Sequence, residues 1–213
     1  MTMGAETFSA SRRGFLGGLA AGAAGLAIGF RWAEAEAQAP AIPAMLRANP
    51  RLDSWLRITP DGSITVLTGR VELGQGVLTA MRQIAADELV VAPQRLELIS
   101  GDTAHTADEG VTAGSQSIRF GGEALGVACA DARATLVGVA AQAWGVERAA
   151  LSVRDGVIVA IGGRSMTYAE AASRVSLVRP VDTAARRKPP AAATVIGTSL
   201  PRTDIPAKVF GQQ

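Results

Sequence analysis

Residues 64–78 read ITVLTGRVELGQGVL, and this stretch decides how the central part of the chain folds. Its first half belongs to the strand-like run Ser63–Thr68. Another strand-like run, Trp55–Thr59, precedes it in the chain. The sequence PDG at 60–62 is a strong turn signal, so the two runs are predicted to be joined by a tight turn. Its second half leads through a glycine-containing loop into Val77–Val91, where the apolar residues follow helical spacing.

The elements beyond this stretch continue the alternation of strands and helices. Pro93 is predicted to end the first helix, and the apolar residues at 96–99 indicate another strand. A second, longer helical pattern covers about 121–144. Gly145 follows it directly, in the position where glycine commonly ends a helix.

The elements predicted after residue 150 are shorter. Leu151–Val153 and Val157–Ile161 flank an Asp-Gly pair at 155–156, which is typical of a β-hairpin. Thr167 and Glu170 match a capping box that opens a short helix. The sum of these elements is an α+β fold, a mixed sheet with helices packed against it.

The composition excludes several classes of protein. The chain has 213 residues, of which 48% are hydrophobic and 19% charged, so it is neither a disordered polyampholyte nor a collagen-like fibre. A single cysteine, Cys129, excludes an internal disulfide and a cysteine-based zinc cluster. Its single histidine, His105, excludes a multi-histidine metal site and is expected to be an exposed loop residue; the alternative is a catalytic base.

The charge is unevenly distributed along the chain. The formal net charge is +2, but residues 38–178 carry 12 basic and 14 acidic side chains. From residue 179 onward there are 6 basic and 2 acidic side chains, so the positive charge belongs to the C-terminal segment. With only 4% aromatic residues, the body gives no electrostatic or stacking argument for a nucleic-acid partner.

The N-terminal residues are predicted to be an export signal. Arg12 and Arg13 stand before the apolar run Phe15–Phe30, and the small residues around 35–37 offer a cleavage site. The order SRRGFL at 11–16 is typical of twin-arginine export, which indicates a periplasmic location, with inner-membrane association as a further option. The alternatives are an ordinary secretory signal or a membrane anchor.

The predicted organisation therefore has four parts. Residues 1–37 form the signal, and the proline-rich residues 38–53 form a linker. A globular domain covers 54–178. Residues 179–213 form a basic tail rich in proline and alanine, without a convincing period.

The loop at 69–76 is the first candidate site. Gly74 and Gly76 remove side chains on both sides of Gln75, which permits positive φ and a close approach to a ligand. The start of the following helix is expected to offer unpaired N–H groups to an anion, and the Gln75 amide can both donate and accept. The alternative is an ordinary strand–turn–helix junction, and the pattern matches neither a dinucleotide-binding fingerprint nor a Walker loop.

A polar loop at 100–117 is the second candidate site. It has 18 residues, and loops longer than about 15 residues inside a compact domain are uncommon and usually functional or disordered. Its end, TAGSQS at 112–117, places hydroxyls, an amide and backbone donors just before a helix, again an arrangement suited to an anion. The acidic residues in this loop lack the spacing of a calcium-binding loop.

Taken together and in order, six stretches resemble the molybdenum-binding large subunit of the xanthine dehydrogenase/aldehyde oxidase family. The similarity is strongest to the exported branch typified by the beta chains of isoquinoline 1-oxidoreductases and by related aldehyde dehydrogenases. The stretches are ITVLTGRVELGQGVL at 64–78, residues 85–89, LISGDT at 98–103, DEGVTAGSQS at 108–117, the glycine pair at 121–122 and LPRTDIPAKVFG at 200–211.

This resemblance implies a cofactor and two sets of binding residues. The cofactor would be molybdopterin cytosine dinucleotide or a close relative, with molybdenum carrying oxo and sulfido ligands. By the resemblance, Gln75, which stands between Gly74 and Gly76 in the sequence, lies beside the metal centre without ligating the metal. The segment Gly114, Ser115, Gln116 and Ser117 approaches the pterin and its phosphates.

The resemblance also implies a reaction and partners. The family hydroxylates an aldehyde or an N-heterocycle with water as the oxygen source, and electrons leave through a 2Fe–2S subunit, commonly to a cytochrome c. The chain nevertheless departs from the family pattern, because no residue corresponds to the catalytic glutamate near the far end of a much longer subunit. Residues 200–211 resemble the entry into the family's hammerhead-like domain.

We therefore expect the chain to be the first part of a molybdopterin-binding subunit, as an N-terminal fragment or one piece of a split subunit. Such a piece would be inactive alone and would contain no catalytic residue. Two alternatives stay open: a non-catalytic truncated exported domain or interaction module, and an independent binder of small anions.

Overall fold

The computed structural model describes residues 42–211. Its first sheet includes both strand-like runs predicted at 55–59 and 63–68. The strands are β1 (Leu56–Ile58), β2 (Ile64–Thr68) and β3 (Leu96–Ser100), in the order β1-β2-β3. β1 is antiparallel to β2, with Leu56 opposite Val66, whereas β3 runs parallel to β2. This confirms the predicted mixed sheet and the α+β class.

One long helix packs on this sheet, and a second packs on that helix. Helix α2 (Val77–Leu89) connects β2 to β3 and packs against α3 (Glu123–Trp144), the longest helix described. A short helix before them, α1, covers Ala44–Ala48. Helix α2 ends two residues earlier than predicted because Val90 adopts a left-handed conformation, and Gly145 ends α3 as predicted, with φ of 64°.

A π-helical segment, Ser117–Gly122, leads directly into α3. The combined helix Ser117–Trp144 has the length and composition of a membrane span, but 61% of its most apolar window is buried inside the domain. That burial is typical of the core helix of a domain. The helix packs on α2, and apolar side chains from both helices and the first sheet form the core. The core includes Leu56, Ile64, Val66, Met81, Leu89, Leu125 and Leu136.

The second sheet is a three-stranded antiparallel meander of β4 (Leu151–Arg154), β5 (Val157–Ala160) and β6 (Ser165–Thr167). This confirms the predicted hairpin around the Asp-Gly pair and adds a third strand that the sequence did not predict. Helix α4 (Tyr168–Ala172) follows, and its capping box is present, since Thr167 and Glu170 exchange hydrogen bonds.

The segment predicted as a linker contributes to the core over its described part. Leu46 of α1 and Leu52 are buried, and the Trp55 indole donates a hydrogen bond of 2.9 Å to the carbonyl of Asn49. Pro43 and Pro50 flank the short helix α1 and the turn after it, and they do not prevent the leucines of this segment from packing. Residues 1–41, with the predicted export signal and the first residues of the predicted linker, lie outside the described residues.

The basic C-terminal segment packs on the domain through three buried carboxylates. Arg179 pairs with Asp131 at 2.7 Å, and Arg187 pairs with Glu88 at 2.7 Å. Asp87 on α2 accepts hydrogen bonds from the Lys188 ammonium and from the backbone N–H groups of residues 194–196. The segment then ends in helix α5 (Ile205–Phe210). Its positive charge therefore neutralises acidic groups of the domain itself.

Candidate functional site

The two loops singled out in the sequence meet at one cavity. Its volume is about 550 Å³, and both loops and the helices that follow them contribute to its lining. The predicted residues that line it are Gln75, Gly76, Gly114, Ser115 and Ser117; Gly74 and Gln116 adjoin it without lining it. The rest of the lining is Leu73, Val77, Ala80, Thr112, Ala113 and Ile118. The fold thus brings together residues that are about forty positions apart in the chain.

The Gly-Gln-Gly loop has the backbone conformation that its glycines predict. Gly74 has φ of 103° and Gly76 φ of 79°, values that side chains disfavour. The Gln75 amide stabilises the loop, since its oxygen accepts from the Leu73 N–H at 2.6 Å and its nitrogen donates to the Val71 carbonyl at 3.1 Å. One N–H and one oxygen lone pair of this amide remain for a ligand.

The start of α2 differs from the prediction, because a carboxylate of the chain occupies it. Glu72 accepts hydrogen bonds from the N–H groups of Gly74 and Gly76, both at 2.8 Å, and from Leu78 at 3.3 Å. Burial acts to raise the pKa of Glu72, but the three N–H groups and Arg202 outweigh it and hold the pKa below its usual value. The N–H groups of Gly74, Gly76 and Leu78 are therefore not free for an external anion, so this helix start offers fewer unpaired donors than expected.

The second loop has hydrogen-bond donors that are free for a ligand, whereas the first loop uses several of its N–H groups to bind Glu72. Gly114 has φ of 62°, and Ser115 has φ of 58°, which is uncommon for a residue with a side chain. Within the described residues, the hydroxyls of Ser115 and Ser117 have no hydrogen-bond partner, and no side chain caps the helix that begins at Ser117. A helix start with positive dipole and free hydroxyls suits an anionic group. π-helical segments such as Ser117–Gly122 are frequent at functional sites.

A buried ion pair connects the two loops. Arg70 and Glu109 have fully buried side chains, and the Arg70 Nε lies 3.3 Å from the Glu109 Oε2. Glu109 also accepts from the Thr68 hydroxyl at 2.6 Å and from the Gly69 N–H at 2.7 Å, while Arg70 donates to the Val111 carbonyl at 2.7 Å. The pair fixes the end of β2 against the middle of the second loop.

The backbone is shaped to admit this pair. A Cβ on Gly121 would collide with the Glu109 carboxylate, and one on Gly69 would collide with the Ala107 carbonyl. Sequence reasoning placed Arg70 and Glu109 in the loops without a role. The signal that could have identified them is an arginine and a glutamate in the two candidate loops, which follow the parallel strands β2 and β3.

The other reactive side chains lie away from the cavity. His105 is 53% exposed, as expected for a loop residue, and its Nδ1 lies 2.8 Å from Asp102. Cys129 is buried in α3, and burial raises the pKa of its thiol, which makes it unreactive. Among residues 42–211, no group of three or more histidine, cysteine or acidic side chains is arranged to hold a metal ion.

Comparisons with known proteins show the family of the chain. The family model of the molybdopterin cofactor-binding domain matches residues 6–200. A chain of the nicotinate dehydrogenase of Pseudomonas putida is 29% identical over 74% of this chain and 13% of its own length. The beta chain of isoquinoline 1-oxidoreductase from Brevundimonas diminuta is 28% identical over 97% of this chain and 31% of its own length.

A solved structure, quinoline 2-oxidoreductase from Pseudomonas putida 86, is 27% identical with a TM-score of 0.49 and covers 60% of this chain and 17% of its own. The chain therefore spans less than a third of the length of these relatives. The family match covers most of the chain and includes both loops of the cavity. The chain is a member of the molybdenum hydroxylase family and carries its molybdopterin cofactor-binding domain.

Proposed function

We propose that the cavity between the two loops is one wall of a molybdopterin site, and that the chain serves in a molybdenum oxidoreductase. That enzyme would hydroxylate an aldehyde or an N-heterocycle with water as the oxygen source. The observation that carries the proposal is the convergence of Gln75 and the segment 114–117 on one cavity of about 550 Å³. The family match supports it, because the matched residues include both loops.

The residues around the cavity fit a polyanionic cofactor. The free hydroxyls of Ser115 and Ser117 and the start of the Ser117–Trp144 helix would meet phosphate oxygens. Gly114 leaves room for a close approach, since a Cβ there would meet nothing nearer than the Gln116 side chain at 3.5 Å. On the first loop, the remaining N–H of the Gln75 amide would donate toward the metal centre.

We assign the cofactor to the cytosine dinucleotide form of molybdopterin, as the resemblance implies. When bound, its molybdenum supplies the two-electron redox chemistry of the reaction. Within this chain, Gln75 and the segment 114–117 bind and orient the cofactor, and no described residue acts as the base. The catalytic glutamate of the family has no counterpart here, so the proton transfer would depend on a residue outside these 213 residues.

The chain is proposed to be inactive alone. Leu73, Val111 and Ile118 stand at or beside the cavity and are 71%, 77% and 47% exposed, as expected of a surface that another segment covers. The proposed partners are the remainder of the large subunit, if it is split, a 2Fe–2S subunit and a cytochrome c. Export by the twin-arginine pathway, through Arg12 and Arg13, would place this assembly in the periplasm.

The proposal is tested on the chain purified with the partner encoded downstream of it. A hammerhead-like domain and a terminal glutamate in a neighbouring reading frame would identify that partner. We expect the complex to contain molybdenum in a stoichiometric amount and to release a cytosine nucleotide on hydrolysis. A stoichiometric complex without molybdenum would contradict the split-subunit proposal and favour the non-catalytic exported module.

Replacing Gln75 with alanine in that complex is expected to lower turnover by about tenfold, the order of one charge-assisted hydrogen bond. Gln94→Ala is the matched control, because Gln94 is exposed on the turn before β3, away from the cavity lining. Steady-state kinetics with an aldehyde or N-heterocycle substrate provide the measurement. Equal turnover in the two variants would remove Gln75 from the site.

A further inference from the structure

The Gly-Gln-Gly loop is held by a residue that is distant in sequence. Arg202 follows it by more than 120 positions, yet its Nη1 donates to the Gly74 carbonyl at 2.6 Å. Its Nη2 lies 3.4 Å from the Glu72 carboxylate. Arg202 also lies beyond residues 6–200, the part of the chain that the family model matches.

Asp204 fixes the direction of this arginine. Its two carboxylate oxygens accept from the Arg202 Nε at 3.0 Å and from Nη2 at 2.7 Å, so the guanidinium is held as a planar fork. Lys208, one turn later on α5, adds a second cation to the same carboxylate at 2.6 Å. The Asp204 side chain is only 11% exposed, and both cations lower its pKa.

Arg202 reaches the two groups that determine the shape of the loop. The Glu72 carboxylate receives the N–H groups of Gly74 and Gly76, and the Gly74 carbonyl belongs to the peptide bond that precedes Gln75. Both glycines are in left-handed conformations, which an unrestrained glycine exchanges readily for others. Removing Arg202 would leave Glu72 without its cationic partner and release the Gly74 carbonyl.

We infer that Arg202, held by Asp204, is a positioning residue that fixes the Gly-Gln-Gly loop with Gln75 at the cavity. The segment after residue 200 thereby belongs to the construction of the site. The ordering of the loop is a property of this chain alone. The consequence for the cofactor rests on the proposed function.

Amide hydrogen exchange measured by NMR on the 213-residue chain tests this inference. In Arg202→Gln, the Gly74 and Gly76 amides are expected to exchange about tenfold faster, the order expected for losing charge-assisted hydrogen bonds. The amides of α3 should keep their wild-type rates, which shows that the domain is folded. Arg202→Lys keeps the charge but cannot reproduce the fork, so its rates should lie between those of wild type and Arg202→Gln.

Arg164→Gln is the matched control, since Arg164 is exposed and its side chain makes no ion pair within the described residues. The inference is overturned if Arg202→Gln exchanges at Gly74 and Gly76 no faster than this control. It is equally overturned if Arg202→Gln and Arg202→Lys accelerate exchange uniformly over the chain, because Arg202 would then serve only overall stability.

A second readout separates the positioning role of Arg202 from the proposed function. Molybdenum content of the partner complex is measured for wild type, Arg202→Gln and Arg164→Gln. Absence of molybdenum from the wild-type complex contradicts the proposed function and leaves the exchange result in force. If the wild-type complex contains molybdenum, unchanged molybdenum content and unchanged turnover in Arg202→Gln would overturn the role of Arg202 in positioning Gln75.

Discussion

Replacing Glu109 with alanine is expected to lower the free energy of unfolding of the chain by about 3–5 kcal/mol. The Arg70 guanidinium is fully buried and would lose its only carboxylate partner within the described residues. The Thr68 hydroxyl and the Gly69 N–H would lose their acceptor as well. A buried charge or donor left without a partner costs more than the interaction itself contributes. Urea denaturation at neutral pH provides the measurement.

Asp108→Ala is the matched control, because this neighbouring carboxylate is exposed and accepts one hydrogen bond, from the Gly110 N–H. Its effect should stay below about 1 kcal/mol. The double variant Arg70→Met with Glu109→Leu should recover the part of the loss that comes from the unpaired guanidinium, since apolar side chains can replace a buried pair at little cost. The Thr68 hydroxyl and the Gly69 N–H stay without their acceptor, so the recovery should be incomplete. Equal urea midpoints for Glu109→Ala and Asp108→Ala would show that the pair does not hold the loops together.

Replacing Asp87 with asparagine is expected to lower the free energy of unfolding by about 3 kcal/mol at neutral pH. The Asp87 carboxylate accepts from the Lys188 ammonium and from the N–H groups of Thr194, Val195 and Ile196. An amide offers one acceptor oxygen and turns a donor toward these donors. The basic segment should therefore separate from α2, which limited proteolysis between residues 185 and 200 would detect.

The same substitution has a defined pH dependence. Burial acts to raise the pKa of Asp87, but the three N–H groups and Lys188 outweigh it and hold the pKa below its usual value. A carboxyl whose pKa is lowered by folding stabilises the folded state above its unfolded pKa, and this contribution disappears as pH falls through the folded pKa. The difference between wild type and Asp87→Asn should thus be constant from about pH 7 to about 5 and shrink below about 4.

Asp182→Asn is the corresponding control, because Asp182 lies on the same basic segment but is exposed. It should change neither the urea midpoint nor the proteolysis pattern appreciably. If Asp87→Asn keeps the wild-type urea midpoint and its basic segment resists proteolysis as in wild type, Asp87 on α2 does not anchor that segment.

Local signals in the sequence predicted the elements that carry the site. The turn before β2, the capping box at Thr167 and the glycine after α3 each act within a few residues, so a single sequence contains them. The positions of both candidate loops followed from the same reasoning. Their meeting at one cavity did not, because it depends on the parallel pairing of β2 with β3.

The long-range polar contacts could not be predicted in this way. Arg70 and Glu109 are 39 positions apart, and Lys188 lies 101 positions after Asp87. One signal was nevertheless present in the sequence. Asp87 and Glu88 are an acidic pair on an otherwise apolar helix, and the C-terminal segment is basic, which indicates that the acidic pair and the basic segment form contacts. Similarly, Glu72 is an acidic residue in the loop before α2, which is a signal that a carboxylate of the chain itself can accept from the N–H groups at this helix start.

The two loops are proposed to form one wall of a molybdopterin site, and hydrogen exchange in the partner complex tests this most directly. The complex is compared when loaded with cofactor and when prepared without it. We expect slower exchange at residues 73–77 and 112–118 in the loaded complex, with no change in the β4–β5 hairpin. Unchanged exchange at both loops in a complex that contains molybdenum would contradict the proposed site.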